Sequence, residues 1–319
     1  MKHLISLKEQ TRDDILEILD LTDKIKARYK KGEILNLLAN KSLLMLFQKT
    51  STRTRTSFEA GMTELGGHAI YLDSRTTQLG VSDFKDEIRA VMKMVDVLII
   101  RALKVEDVEL AATLNIVPVI DGCSEKYHPC QALGDIFTME EESGGLENVK
   151  KITWLGIENN VSNSLTLACA KLGIEVYIVS PERDRDSLDE ELIDEADQTG
   201  KVHRTLDLKE ALIGANFVHT DTWVNMEFFE NGKIKDSYQG EYERRVKLFK
   251  PYQLNAKLLA DYNPKAKIMH CMPCHVGYEI TRDAIDHANS VIFKQAENRK
   301  HIQKAIILWL LKDKLNFNF

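Results

Sequence analysis

The sequence predicts two α/β domains, each a doubly wound parallel sheet, with the active site in the cleft between them. Short apolar or β-branched segments alternate with helical patterns along almost the whole chain, which is typical of parallel sheets covered on both faces. The 319 residues exceed one domain at about 100–200 residues per domain. A polar, glycine-containing stretch, EESGGLENVK at 141–150, separates two groups of strands, so we expect the boundary near 145.

Nine segments have the composition of strands. They are SLLMLF (42–47), HAIYLD (68–73), DVLIIRA (96–102), VPVIDG (117–122), KITWLG (151–156), EVYIVS (175–180), NFVHTD (216–221), AKIMHC (266–271) and SVIFKQ (290–295). Between the first two, RTRTSFEAGMTELG is predicted as a helix because Phe58, Met62 and Leu65 recur at spacings of four and three.

Composition narrows the class of protein. The longest apolar run, AIILWLL, is far shorter than the roughly 20 residues that a membrane span requires. The first residues, MKHLISLKEQTRDD, contain no signal-peptide core, and five cysteines without an export signal predict a reduced, cytoplasmic chain. The formal net charge of −6 argues against a nucleic-acid partner.

Polar side chains gather where the predicted strands end. Ligands of such sheets bind beyond the carboxyl ends of the strands, so these segments are expected to converge. The segments that follow strands are QKTSTRTRT, CSEKYHPCQ, IENNVSNS, DTWVNM and CMPCH, and Arg101 itself ends the third strand. This distribution predicts an active site between the two domains.

The segment STRTR (51–55) has the composition of an anion site at a helix N-terminus. Ser51 or Thr52 can cap the helix, whose free N–H groups and dipole favour an anion, and arginine matches phosphate geometry. The alternative is a capped helix whose arginines are solvated or paired. Arg53 and Arg55 point to different faces, so at least one of them can be structural.

Four further strand-end residues have functional side chains and also plain structural explanations. His128 and Gln131, beside the helix start at Pro129, can donate hydrogen bonds to a carbonyl oxygen that gains charge. Arg101 can bind an anion or pair with a local carboxylate, and Asp221 can hold a cationic amine or cap a helix. The segment GIENNVSNS lacks G-x-G-x-x-G, which argues against a dinucleotide cofactor.

The heptapeptide MHCMPCH (269–275) matches three site types by pattern alone. Cys271 and Cys274 form a C-x-x-C pair, as in a thiol redox motif. With His275 the pair becomes a c-type haem attachment motif, and with His270 the segment has four potential zinc ligands. A haem site conflicts with the absent export signal, and a structural zinc site normally has ligand pairs separated by a loop. A turn at a strand end explains the segment more simply.

Taken together, the motifs resemble those of aspartate/ornithine carbamoyltransferases. FQKTSTRTRTSFEAGMTELGG, HPCQALGD, TDTWVNM, MHCMPCH and QAENR occur in that family's order over essentially the whole chain, and H-C-M-P is similar to the H-C-L-P of the ornithine branch. The resemblance implies a carbamoyl-phosphate domain at 1–145, an amino-acid domain at 146–299, and a C-terminal helix at 300–319 that packs back on the first. It also implies a homotrimer with inter-subunit sites and transfer to ornithine without a metal or organic cofactor.

The resemblance also assigns roles to individual residues. On the carbamoyl-phosphate side, the implied residues are Ser51, Thr52, Arg53, Thr54, Gln78 from a neighbouring subunit, Arg101, His128, Gln131, Cys271, Met272 and Arg299. On the ornithine side they are Asn160, Asp221, Asn225 and Met226. The residues implied in catalysis are Arg101, His128, Gln131, Asp221 and Cys271.

The segment after Asp221 departs from the ornithine pattern. The usual D-x-W-x-S-M-G reads DTWVNME here, and a longer loop at 227–245 follows. Because this loop reads the amino-acid end of the acceptor, putrescine or another amine or ureido acceptor is the alternative to ornithine. An Asn225–Met226 pair after D-x-W and the absence of an added C-terminal helix favour ornithine.

Overall fold

The computed structural model describes residues 1–224, 228–230 and 233–315. The chain divides into two compact units. Unit 1 comprises Met1–Phe137, Asn163–Ala168 and Glu297–Phe319, and unit 2 comprises Thr138–Ser162 and Cys169–Ala296. Each unit contains a parallel sheet with helices, so the predicted fold class of two α/β domains is confirmed. The predicted boundary at 145/146 stays a prediction.

Unit 1 is built on a parallel sheet in the order β2-β1-β3-β4. The strands are Ser42–Phe47 (β1), His68–Asp73 (β2), Val97–Arg101 (β3) and Val119–Asp121 (β4). The helices that lie wholly or partly in this unit are Arg12–Lys30 (α1), Thr52–Glu64 (α2), Phe84–Met92 (α3), Val105–Thr113 (α4), Pro129–Ser143 (α5), Asn160–Lys171 (α6) and Ile292–Leu311 (α12). Apolar residues of β1, β3 and β4 pack against α3 and α4 as a buried core, which explains why these strands are almost wholly apolar.

Unit 2 is built on a parallel sheet in the order β11-β8-β5-β6-β7. Its strands are Lys151–Leu155 (β5), Glu175–Val179 (β6), Val202–Arg204 (β7), Phe217–Thr220 (β8) and Lys267–His270 (β11), and Phe229–Glu230 (β9) pairs antiparallel with Lys233–Ile234 (β10). Its other helices are Glu190–Gln198 (α7), Leu208–Leu212 (α8), Gln239–Phe249 (α9), Ala256–Tyr262 (α10) and Arg282–Ile285 (α11).

The strand prediction is wrong at two places, the segment 290–295 and β7. The segment 290–295 is not a strand: Ser290 forms only a parallel bridge with Ile268, and α12 begins at Ile292. Val291 and Ile292 are buried, but Phe293 in the first turn of α12 is exposed. The predicted helix at 300–319 is the second half of α12, which ends at Leu311 and is followed by a 3-10 turn at Lys312–Lys314. The short strand β7 was not predicted.

Each sheet reverses its strand order at one point, and that point is where ligands bind in doubly wound folds. In unit 1 the chain runs from β1 to β2 on one side and returns to β3 on the other, so the switch point lies between β1 and β3. In unit 2 the corresponding pair is β5 and β8. The polar segments that follow these four strands therefore define two half-sites.

Candidate active site

The first turn of α2 follows β1 and lies at the unit 1 switch point. Ser51 is the N-cap: its Oγ accepts the backbone N–H of Thr54 at 3.4 Å and donates to Thr54 Oγ1 at 3.0 Å. This turn, described in full, carries no acidic side chain, so the helix dipole is not neutralised locally. Thr52 is exposed and Arg53 is partly buried on the same turn. The arrangement fits a phosphate group.

Arg55 has a different environment from Arg53. Its Nε donates to Glu59 Oε1 at 3.0 Å, and its guanidinium lies 3.8 Å from the centroid of the Tyr71 ring. Because Arg55 is already paired and stacked on the surface of α2, we assign it a structural role. The structure thus separates two arginines that the sequence could not tell apart.

Arg299, on α12, contacts the first turn of α2 although the two lie far apart in the sequence. Its Nη1 donates to Gln131 Oε1, and its Nη2 lies 3.4 Å from Thr54 Oγ1. Arg299, Gln131 and Thr54 are all buried. Three predicted carbamoyl-phosphate residues from α2, α5 and α12 are therefore hydrogen-bonded to one another.

His128 is a buried, neutral imidazole at the start of α5. Its backbone carbonyl oxygen accepts the first hydrogen bonds of the helix, and its backbone N–H donates to Ser164 Oγ at 2.9 Å. Burial lowers the pKa of His128 well below its usual value. Nearby positive charges lower this pKa further, in decreasing order Arg299, Arg101, Lys49 and Arg53. A neutral ring among four cations can donate a hydrogen bond to an oxygen while the cations hold an anion.

Arg101 ends β3 beside Phe47, the last residue of β1, and so lies at the switch point itself. Its Nε is buried without a hydrogen-bond partner among the described residues. No carboxylate in the described part of the chain lies within ion-pair distance of it, so the alternative of a local ion pair is not supported. An unpaired buried N–H beside a cation cluster fits a bound anion or carbonyl oxygen.

Among the described residues, Gln78 makes no hydrogen bond to this cluster. It is exposed in the loop after the 3-10 turn at Ser74–Thr76, and its backbone carbonyl accepts the N–H of Val81 at 2.9 Å. Its predicted contribution to a neighbouring subunit stays a prediction.

Asp221 is the centre of the half-site in unit 2. It follows β8, is buried, and its Oδ1 accepts hydrogen bonds from Cys271 Sγ at 2.9 Å and from the N–H of Thr222 at 2.8 Å. Its Oδ2 accepts from Asn159 Nδ2 at 2.8 Å. The carboxylate is thus fixed between the ends of β5, β8 and β11, where it can face a cationic amine.

Asn159, which was not among the predicted site residues, orients Asp221. Its Oδ1 also accepts the N–H groups of Val161 and Ser162, so it caps α6 with one atom and holds Asp221 with the other. Asn160 is the first residue of α6 and is partly buried. The predicted ornithine residues Asn225 and Met226 lie outside the described residues.

The MHCMPCH segment forms a turn after β11. Met272 has a positive φ of 57°, and its backbone N–H donates to His270 Nδ1 at 2.8 Å. His270 Nε2 faces Glu279 Oε1 at 3.3 Å. Ligand atoms of Asp221, His270 and Cys271 lie within 4.8 Å of one another. Because both ring nitrogens of His270 already have partners, this group fits a metal ion poorly.

The five cysteines all lie within the described residues and form no disulfide with one another, and Cys271 Sγ donates to Asp221 Oδ1. His275 is engaged separately: its Nδ1 lies 2.8 Å from Thr222 Oγ1, and its ring stacks on Phe229 with centroids 4.6 Å apart.

Two residues of the unit 1 half-site were missed by the sequence analysis. Lys49, in the loop before α2, is one of the four cations near His128. Asp121, the last residue of β4, is fully buried, and burial raises its pKa to about 7. Its Oδ1 accepts the N–H of Cys123 at 2.8 Å, which supports the loop that leads to His128. The sequence contained a signal for both residues, since each is a charged residue at or just after the end of a predicted strand.

A cavity of about 590 Å³ in unit 2 contains none of the predicted site residues. It is lined by residues 182–186, Phe228, Glu241, Arg244 and Arg245. Its main charges are paired with one another, since Arg244 binds both Glu182 and Glu241 at 2.6 Å. We therefore do not assign the chemistry to it. Within the described residues, no helix has the length and apolarity to cross a membrane.

Two family models cover most of the chain. Residues 2–141 match the carbamoyl-P binding domain of aspartate/ornithine carbamoyltransferase, and residues 148–310 match its Asp/Orn binding domain. A protein of Archaeoglobus fulgidus named ornithine carbamoyltransferase is 40% identical over 313 residues, which are 98% of this chain and 98% of the relative. A protein of Methanospirillum hungatei with the same name is 41% identical, over 97% of this chain and 99% of the relative.

Solved structures agree. Ornithine carbamoyltransferase from Pyrococcus furiosus matches with a TM-score of 0.86 at 38% identity, over 96% of each chain. The anabolic ornithine carbamoyltransferase from Campylobacter jejuni matches with a TM-score of 0.86 at 34% identity, over 98% of this chain and 100% of that chain.

Proposed function

The chain belongs to the aspartate/ornithine carbamoyltransferase family, and on that premise we propose that it transfers the carbamoyl group of carbamoyl phosphate to the side-chain amine of L-ornithine. The products are L-citrulline and phosphate. The observation that carries the proposal is the group of four cations around the buried, neutral His128 beside the open N-terminus of α2. Such a site suits a phosphate joined to a carbonyl.

Carbamoyl phosphate is assigned to the unit 1 half-site. Its phosphate is held by the α2 turn and by arginine side chains, namely Ser51, Thr52, Arg53, Thr54 and Arg299. Its carbamoyl oxygen faces Arg101 and His128, with Gln131, Cys271 and Met272 assigned to the same group. Fixed donors aimed at an oxygen that gains charge stabilise the transition state more than the ground state.

The amine is assigned to the unit 2 half-site. An alkylammonium group has a pKa near 10, yet only the neutral amine can attack. Asp221, fixed by Asn159 and Cys271, attracts and orients the ammonium and accepts the proton that it must lose before attack. Asn160, Asn225 and Met226 are assigned to the rest of the amino acid.

The proposed transfer proceeds in two steps and uses no cofactor. The neutral amine attacks the carbamoyl carbon, a C–N bond forms, and the oxyanion of the tetrahedral intermediate is stabilised by Arg101 and His128. The C–O bond to phosphate then breaks, phosphate leaves onto the arginines, and the proton that the attacking nitrogen must lose passes to the leaving phosphate. Binding both substrates at once supplies much of the acceleration, because the reaction then becomes effectively unimolecular.

The assembly and setting are part of the same proposal. We assign a homotrimer in which Gln78 completes the phosphate site of a neighbouring subunit, which fits its exposed position. We place the enzyme in the cytoplasm and in arginine metabolism. The relatives described above are all named for ornithine, which favours ornithine over putrescine and over other amine or ureido acceptors.

The test is ureido product formation from carbamoyl phosphate and a panel of acceptors: ornithine, putrescine, lysine, acetylornithine and aspartate. We expect a strong preference for ornithine. A preference for another acceptor would overturn the assignment of ornithine and would identify the 225–245 segment as the source of specificity. Activity with no acceptor would overturn the assignment of the amine half-site.

A further inference from the structure

Asp135 belongs to a buried chain of hydrogen bonds that ends at the proposed phosphate site. Its Oδ1 accepts from Gln131 Nε2 at 2.6 Å, one turn earlier on α5. Gln131 Oε1 accepts from Arg299, and Arg299 Nη2 lies 3.4 Å from Thr54 Oγ1. Asp135 is completely buried and ends the HPCQALGD motif, but it has no role among the predicted site residues or in the proposed chemistry.

The direction of every bond in this chain follows from Asp135. A carboxylate only accepts hydrogen bonds, so the amide NH₂ of Gln131 must face it and the amide oxygen must face away. That oxygen is then available to accept from Arg299, which only donates. A reversed amide would place NH₂ against the guanidinium and break two bonds.

At the Thr54 end of this series of hydrogen bonds, donors face the proposed anion site. Thr54 Oγ1 accepts from Ser51 Oγ at 3.0 Å and from Arg299, so its own hydroxyl proton is left to donate. The guanidinium of Arg299 is held at both Nη atoms. The helices also approach closely here: a Cβ added at Gly134 would lie 3.4 Å from Arg299 Cδ. The position of Arg299 is therefore determined on several sides.

We propose that Asp135 is a positioning residue for phosphate binding, which acts by fixing the orientation of the Gln131 amide and, through it, the guanidinium of Arg299. Asp135 does not touch the substrate. The inference rests on the proposed function for the identity of the substrate, but the binding of an anion by this chain of residues does not depend on carbamoyl transfer.

Asp135→Asn tests the proposal because asparagine has the same size but both donates and accepts, so it no longer selects one orientation of Gln131. With inorganic phosphate as the probe and calorimetry of the whole protein, we expect Kd to rise about tenfold, the effect of one lost hydrogen bond to a charged group. Asp189→Asn, at a buried helix cap in unit 2, is the matched control and should leave Kd unchanged.

A double-mutant cycle distinguishes positioning from a general structural role. If Asp135 acts through Gln131, Asp135→Asn should add little to the loss already caused by Gln131→Ala, because coupled residues are not additive. Independent effects on phosphate affinity that multiply would overturn the proposal, as would an unchanged Kd in Asp135→Asn.

A second pair of variants keeps the test decisive if Asp135→Asn does not fold. Asp135→Glu and Asp135→Gln are equal in size, but only the glutamate is restricted to accepting, so the glutamate variant should bind phosphate more tightly. Equal affinities would overturn the proposal. A protein that forms no ureido product but shows this dependence on residue 135 would contradict the proposed function and leave the role of Asp135 intact.

Discussion

Arg53 and Arg55 lie two residues apart on α2. Replacing Arg53 by glutamine should change the KM for carbamoyl phosphate, whereas replacing Arg55 should change only the stability of the protein. Arg53 is partly buried, and its charge contributes to the low pKa of His128, so it lies with the other cations of the proposed phosphate site. A hydrogen bond to a charged group contributes about 1.5–3 kcal/mol, which corresponds to roughly 10- to 100-fold in affinity. We expect Arg53→Gln to raise the KM for carbamoyl phosphate by that factor.

Arg55→Gln should affect stability instead. Its ion pair with Glu59 is exposed and contributes about 0.3–0.5 kcal/mol, and stacking on Tyr71 adds about 0.5–1 kcal/mol at an exposed site. The free energy of unfolding should fall by about 1 kcal/mol with no change in KM. Arg53→Gln should not destabilise the protein, because a cation in the first turn opposes the helix dipole.

The assay is steady-state kinetics with varied carbamoyl phosphate at saturating ornithine, together with urea denaturation of the same preparations. Equal changes of KM in both variants, or a larger change in Arg55→Gln, would refute the assignment of Arg53 to the phosphate and of Arg55 to the surface of the helix.

Three further changes test other parts of the structure. Asp221→Asn should lower kcat by about 10²–10⁴, the usual range for a residue that assists proton transfer, and should leave the KM for carbamoyl phosphate unchanged in the same kinetic assay. Gly156→Ala should lower the free energy of unfolding by about 1–3 kcal/mol in urea, because Gly156 has a φ of +114° and an added Cβ would lie 3.1 Å from Trp223 Nε1. Burial lowers the pKa of His301 to about 2, so below pH 6.5 the unfolded state binds a proton that the folded state does not. Stability should therefore fall with decreasing pH by about 1.4 kcal/mol per unit for this residue, and His301→Phe should remove that part of the slope between pH 7 and pH 5.

The strands buried on both faces were predictable because their composition is local information. SLLMLF and DVLIIRA have the nearly continuous apolar composition of central parallel strands, and the structure places them side by side as β1 and β3. The strand predicted at 290–295 failed because a short apolar run has the same composition on a buried helix as in a sheet. The three residues of β7 are too few and too exposed to give a pattern.

The sequence by itself determined the family, the fold class and the residue types at each strand end. Only the tertiary structure decided that Arg55 pairs with Glu59 while Arg53 joins the cations, and that Asn159 holds Asp221. It also placed Asp135 within hydrogen-bond distance of Gln131, whose amide oxygen accepts from Arg299. The physical reason is that hydrogen-bond partners and burial join positions far apart in the chain, as Gln131 and Arg299 show. A local pattern records a side chain's chemistry but not the atoms that surround it.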